Sequence, residues 1–296
     1  MIEAGLSILL MVSSLAGTAV PRGTAAEADP ADPEIRKVRA EHEFDQGEKA
    51  RLAGLPAEAL VHYQNAARLT PDEAVYHNQL GVAYFENGQF AEAEVSYRKA
   101  IKMAPKKAIQ YYNLGQALIY QNKFSEAVRM TDKAAQMEPK KALYHFALGD
   151  ACRLKGLTTD AILAYRKAVD LEPTNSKYLN AFGVACYHQS IYSDAIKAYE
   201  RAVALEPKDG TFRANLADAY NRKGKFDLAI EHAKKASKLK PRDGYAEFIL
   251  GEAFEKKNMS KEAGAAYKKS CALGQEPACK NLTRMEAASK KKHGEK

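Results

Sequence analysis

The chain has 296 residues, of which 46% are apolar and 28% charged, a balance that supports a buried core and excludes a disordered polyelectrolyte. Its formal net charge is +8, from 45 Lys+Arg against 37 Asp+Glu, which permits contact with nucleic acid or anionic lipid without requiring it. Four cysteines, Cys152, Cys186, Cys271 and Cys279, are too few to build a disulfide scaffold in a chain this long. Alanine, leucine, lysine, glutamate and tyrosine dominate and runs of β-branched residues are almost absent, so the chain reads all-α.

The first element is the apolar run Gly5 to Val20, too short for an ordinary spanning helix and suited to a signal-peptide hydrophobic region. Small residues follow it, and Gly17-Thr18-Ala19 and Thr24-Ala25-Ala26 offer cleavage sites. Residues 1–26 are therefore read as a signal peptide or a membrane anchor, with export to the periplasm or membrane association through the N-terminus. The leading Met1-Ile2-Glu3 carries no basic residue, so a cytoplasmic chain is the alternative. Residues 27–39 include EADPADPE, acidic and proline-bearing, and are expected to form a flexible leader.

From Ala40 onward a pattern recurs every 34 positions, in units starting at Ala40, Ala74, Ala108, Ala142, Ser176, Gly210 and Gly244. The eighth position of each unit is Gly47, Gly81, Gly115, Gly149, Gly183, Ala217 or Gly251, and the twentieth is alanine throughout, from Ala59 to Ala263. Small residues at both places let two helices of a hairpin cross closely. The twenty-fourth position holds Tyr63, Tyr97, Thr131, Tyr165, Tyr199, Ala233 and Tyr267, expected to fill the space between second helices. Prolines from Pro71 to Pro241 end the second helix of the first six units, and Gly54, Gly88, Asn122, Gly156, Ser190, Gly224 and Asn258 mark the turn within each hairpin.

This period and residue pattern resembles the tetratricopeptide repeat (TPR) family over residues 40–277. The resemblance implies an all-α, right-handed superhelical solenoid of helix-turn-helix repeats. The last junction, YKKSCALGQEPACKNL, resembles the related Sel1-like repeats, with Gly274 ending one helix and Ala278 entering the next. Residues 278–296 are then a capping helix, with Leu282 and Met285 facing the array, and a basic tail that frays from Lys290. The same resemblance implies a possible disulfide between Cys271 and Cys279, stapling that helix to the array.

Nothing in the chain forms a catalytic constellation. No His pair or short His/Cys cluster has metal-ligand spacing, and no nucleophile–base arrangement or phosphate-cradling loop is visible. No cofactor or metal and no small-molecule substrate is expected, and His77 and His145 read as packing residues. Positions 25 and 26, such as Arg98-Lys99, Arg166-Lys167 and Lys234-Lys235, would lie on the outer face and keep it soluble. Nucleic acid is not the expected partner, since these cations have no interleaved aromatics on which bases stack.

In the TPR family the positions 2, 5, 6, 9, 12 and 13 of each first helix line the concave face. Here they supply Asn78, Gln79 and Phe85; Tyr112, Asn113, Gln116 and Tyr120; Phe146, Asp150 and Arg153; Asn180 and Tyr187; and Asn215, Asp218, Asn221 and Arg222. Amides beside aromatics suit an extended peptide, the amides bonding its backbone and the rings packing its side chains. The other reading is that the superhelical twist buries some of these aromatics. The carboxylate clamp of chaperone-tail binders is missing, because only Lys177 stands at position 2 and Ala181 at position 6 of its unit. A repeated asparagine ladder at position 6 is interrupted by Ala147 and Ala181. The expectation is a non-catalytic interaction scaffold holding a protein or peptide for an envelope or periplasmic assembly. The alternatives are a basic-surface binder of anionic polymer or membrane and an accessory subunit of an enzyme complex.

Overall fold

A computed structural model describes residues 32–292. The helices run as α1 (Pro33–Leu52) and α2 (Pro56–Leu69), α3 (Ala74–Glu86) and α4 (Phe90–Met103), α5 (Ala108–Tyr120) and α6 (Phe124–Met137), and α7 (Ala142–Lys155) and α8 (Thr158–Leu171). They continue as α9 (Ser176–His188) and α10 (Tyr192–Leu205), α11 (Gly210–Arg222) and α12 (Phe226–Leu239), α13 (Tyr245–Lys256) and α14 (Ser260–Ala272), closed by α15 (Glu276–Lys292). The fold is an all-α superhelical repeat array.

Each hairpin is locked by size complementarity. The alanines at position 20 are fully buried from Ala59 to Ala263. The tyrosine at position 24 lies across the glycine at position 8 of its own pair. This corrects the expectation that it fills the space between second helices. A Cβ added to Gly81 would stand 2.5 Å from the Tyr97 ring, and one added to Gly149 would stand 2.5 Å from that of Tyr165. Where position 8 is Ala217, position 24 shrinks to Ala233, so the two places trade volume. The turn residue takes the left-handed conformation in every pair, including Gly88 at φ 75° and Ser190 at φ 59°. Serine there bears a steric cost that glycine avoids.

Successive pairs are joined at the carbonyl of the closing proline, an acceptor left over at a helix end. His77 and His145 present Nε2 to the carbonyls of Pro71 and Pro139 at 2.8 and 2.9 Å. Tyr111 Oη donates to Pro105 at 3.1 Å and Arg213 Nε to Pro207 at 2.9 Å. All four donors occupy position 4. In the fifth unit that place is Leu179, which cannot donate, and the Arg201 guanidinium reaches the Pro173 carbonyl instead at 2.9 Å. Burial holds the His77 imidazole below the ordinary histidine range, against the opposing pull of that carbonyl.

Both ends differ from expectation. Asp32 caps the backbone of Glu34 at 2.9 Å and Pro33 occupies the first turn of α1. Residues 33–39 of the expected flexible leader are thus helical, because Asp-Pro here is an N-cap followed by a helix-starting proline. The signal or anchor segment, 1–26, and the rest of the leader to 31 lie outside the described residues. At the other end α15 starts at Glu276 and runs on through Lys292, so Lys290 to Lys292 continue the helix. Residues 293–296 of the tail lie outside the described residues. Ala278 is fully buried, and Leu282 and Met285 pack on the last pair. The Sγ atoms of Cys271 and Cys279 are bonded. Cys152 and Cys186 are buried free thiols whose surroundings push each up to about 11.

Candidate functional site

Neighbouring first helices touch one another (α3 with α5, α5 with α7, α9 with α11, α11 with α13), whereas neighbouring second helices have no comparable contact. The odd-numbered helices therefore form the inner face and the even-numbered ones the outer face. On the outer face several cations at positions 25 and 26 have partners. Arg98 bridges Glu94 and Glu126, Arg166 pairs with Asp194, and Lys235 pairs with Glu231. Exposed pairs of this kind contribute little stability.

On the inner face, position 5 decides how one unit meets the next. An aromatic there packs against the tyrosine at position 3 of the following unit: Phe44 on Tyr76 at 5.2 Å and Tyr112 on Tyr144 at 5.4 Å with the rings tilted, and Phe146 stacked on Tyr178 at 4.7 Å. An asparagine there accepts from the asparagine at position 6 of the following unit. Asn113 Nδ2 donates to Asn78 Oδ1 at 3.2 Å and Asn215 Nδ2 to Asn180 Oδ1 at 2.9 Å. Ala214 and Ala246 take the corresponding places in the sixth and seventh units. Six of the predicted groove residues, Asn78, Tyr112, Asn113, Phe146, Asn180 and Asn215, thus have partners inside the array.

Truncating Asn180 to alanine should destabilise the array by about 1 kcal/mol, the usual cost of leaving a half-buried amide without its mate. Removing both Asn180 and Asn215 should cost less than the two single changes summed. Urea denaturation of the four proteins checks this, and strict additivity would show that the pair does not interact.

Polar chains run between these junctions. Asn78 Nδ2 donates to Gln79 Oε1 at 3.1 Å and Gln79 Nε2 to Glu48 Oε1 at 2.7 Å. Tyr63 and Arg51 also donate to Glu48, at 2.5 and 2.8 Å. Burial raises the Glu48 carboxyl, but these three donors outweigh it and hold the group below the ordinary glutamate range. Tyr165 Oη donates to Asp150 at 2.6 Å, and Arg153 approaches the same carboxylate at 3.7 Å. Burial there prevails, and Asp150 is raised.

Further along, Tyr187 and Tyr245 donate to Asp218 Oδ2 at 2.7 and 2.5 Å. Arg222 Nε donates to Tyr187 Oη at 3.0 Å, and Asn221 Nδ2 to Glu252 Oε2 at 3.4 Å. Glu48, Tyr245 and Glu252 were missed by sequence reasoning. The signal for the two glutamates is the acid recurring at position 9, as Glu48, Asp150, Asp218 and Glu252, and Tyr245, at position 2, has no such signal.

The remaining predicted residues sit at the edges. Gln116 is half-buried on α5. Phe85 and Tyr120 meet edge-on at 5.2 Å, and both contact Phe90 at the start of α4. Tyr120 is 48% exposed, and at position 2 Val75 and Ile109 are 51% and 42% exposed. These three are large apolar surfaces that the array leaves open. Among the described residues no group of three or more His, Cys, Asp or Glu is placed to hold a metal, and no helix is long and apolar enough to cross a membrane.

The family model described as the cilia and flagella-associated protein 70 C-terminal domain matches residues 9–288. Among solved structures, the C-terminal part of a TPR repeat-containing protein from Cytophaga hutchinsonii is similar at TM-score 0.67 and 19% identity, covering 81% of this chain and 99% of that one. MamA from Desulfovibrio magneticus RS-1 is similar at TM-score 0.54 and 23% identity, covering 57% and 96% of the two chains. YrrB, described as a TPR protein with an unusual peptide-binding site, is similar at TM-score 0.56 and 18% identity, covering 62% and 95%. At these identities the likeness to solved structures establishes the fold alone. No curated protein matches the chain.

Proposed function

This chain belongs to the family of the cilia and flagella-associated protein 70 C-terminal domain, built of tetratricopeptide repeats, and on that premise we propose that it is a non-catalytic scaffold holding a protein or peptide partner along its inner groove. The observation that carries this reading is the open apolar surface of Val75, Ile109 and Tyr120 on the first helices α3 and α5, whose polar neighbours Asn78, Gln79 and Asn113 are already paired. Such a wall is preorganised, so a partner loses less on ordering it. The peptide-binding site named for YrrB supports the same use of the fold. Residues 1–26 add export to an envelope compartment, periplasmic or membrane-anchored, to the proposal.

The groove is tested by changing its open residues rather than Tyr112 and Phe146, which hold neighbouring units together, and because Tyr120 also rests on Phe85 and Phe90 the variant's folding is checked by urea denaturation alongside. Full-length protein and the variant Val75→Ser/Ile109→Ser/Tyr120→Ala are compared in co-purification from the native host with the N-terminal segment intact. Loss of roughly tenfold or more in partner recovery is expected for a cluster of buried apolar anchors. Equal recovery would overturn the groove reading. A binder of anionic polymer through the outer lysines would instead lose orders of magnitude in affinity between about 50 and 200 mM salt.

A further inference from the structure

On α11, the first helix of the sixth unit, two buried acceptor oxygens have no hydrogen bond. Asp218 is 4% exposed, and its Oδ2 is satisfied by Tyr187 and Tyr245. Its Oδ1 has no hydrogen bond and meets only Arg222 Nε, at 3.4 Å. One turn on, Asn221 is 9% exposed, and its Oδ1 has no donor either. Glu252, on the next first helix, has the Arg222 guanidinium at 3.6 Å. A single arginine thus serves two carboxylates and a phenol, and its own side chain remains 44% exposed at the mouth of the patch.

Buried oxygens without donors are uncommon in folded proteins, because each forfeits its hydration without replacement. Here they share one helix face, three residues apart, beside the Glu252 carboxylate, and Arg222 is the cation within ion-pair distance of both acids. A ligand for this place must bring N–H groups and positive charge. An anionic ligand would face Asp218 and Glu252.

We propose that this patch is the anchor subsite for a basic side chain of the partner polypeptide, received by Asp218 Oδ1, Asn221 Oδ1 and Glu252 as Arg222 swings off Asp218. The inference rests on the groove reading above and adds the chemistry of the partner. Glu252 agrees with it: burial raises this carboxyl, and the Asp218 charge adds to the rise against the opposing Arg222. An incoming cation relieves that strain on Glu252. With Val75 and Ile109 open toward the other end of the groove, the segment that fits is apolar at one end and basic at the other.

The test uses full-length protein and a fluorescein-labelled library of peptides of about twelve residues. These alternate apolar residues with serine and carry one arginine at varied places. Fluorescence anisotropy gives Kd for the best binder and for its twins with citrulline or lysine in place of arginine. Citrulline keeps the shape and removes the charge. It should weaken binding roughly tenfold or more, as loss of a charge-assisted pair does, and lysine should weaken it less. Asp218→Asn should match the citrulline loss, and citrulline should then cost Asp218→Asn little further. Glu252→Gln repeats the comparison at a residue that no tyrosine depends on.

Equal affinity for the arginine and citrulline peptides, with binding still lost in the Val75/Ile109/Tyr120 variant, overturns the subsite and leaves the groove standing. Binding by no peptide of the set overturns the groove reading and the subsite with it.

Discussion

Gly81→Ala should destabilise the array by about 2 kcal/mol, although alanine is ordinarily the better helix former. The helix-propensity gain is about 1 kcal/mol. Against it stands overpacking: the new Cβ would lie 2.5 and 2.6 Å from two carbons of the Tyr97 ring. That ring is 2% exposed and has no free direction in which to move. Forcing a methyl into such a place costs about 1–3 kcal/mol, and a rigid aromatic neighbour puts this site at the upper end.

The same substitution in a Tyr97→Ala background should reverse sign and stabilise by up to about 1 kcal/mol, since only the propensity term survives. Ala217 opposite Ala233 shows that the fold accepts this arrangement. Urea denaturation fitted to a nearest-neighbour repeat scheme gives all three quantities. An equal loss in both backgrounds would show that the Gly81–Tyr97 contact is not what restricts position 8.

Replacing Cys271 and Cys279 together by serine should cost about 2.5 kcal/mol, the loop-closure contribution of a bridge spanning so few residues. The loss should be local. Besides the bridge, α15 is held by Ala278, Leu282 and Met285 and by Arg284 on Glu255 at 2.7 Å. In a repeat array each element senses only its neighbours. Amide exchange in α15 and the end of α14 should therefore quicken by about seventyfold, while α1 to α10 keep their protection. Unchanged exchange in α15 would show that packing alone seats it. Two free thiols in the native protein, by mass under non-reducing conditions, would refute the bridge.

How much of the site was legible follows from where its partners lie. Two prolines in an acidic stretch point to an unstructured leader at Asp32 and Pro33. Their order, cap then proline, is a local helix start that the sequence did contain. The groove residues are different. Asn78 and Tyr112 occupy the same position of adjacent units, yet Asn78 looks to Asn113 and Tyr112 to Tyr144. Which of two cross-unit neighbours a side chain meets depends on what the following unit offers, Asn113 at its sixth position or Tyr144 at its third, and no single unit encodes it.

The sequence by itself determined the repeat, its phase and the tight hairpin. Those rest on short-range size complementarity and turn conformation, which recur at fixed spacing and need no knowledge of the neighbouring unit. Only the tertiary structure decided which inner-face residues are consumed in holding units together and which remain for a partner. Val75, Ile109 and Tyr120 stay open, and Asp218 and Asn221 keep oxygens without donors. The physical reason is that a surface is defined by what fails to find a partner within the chain, and that is known only once every unit has packed against the next.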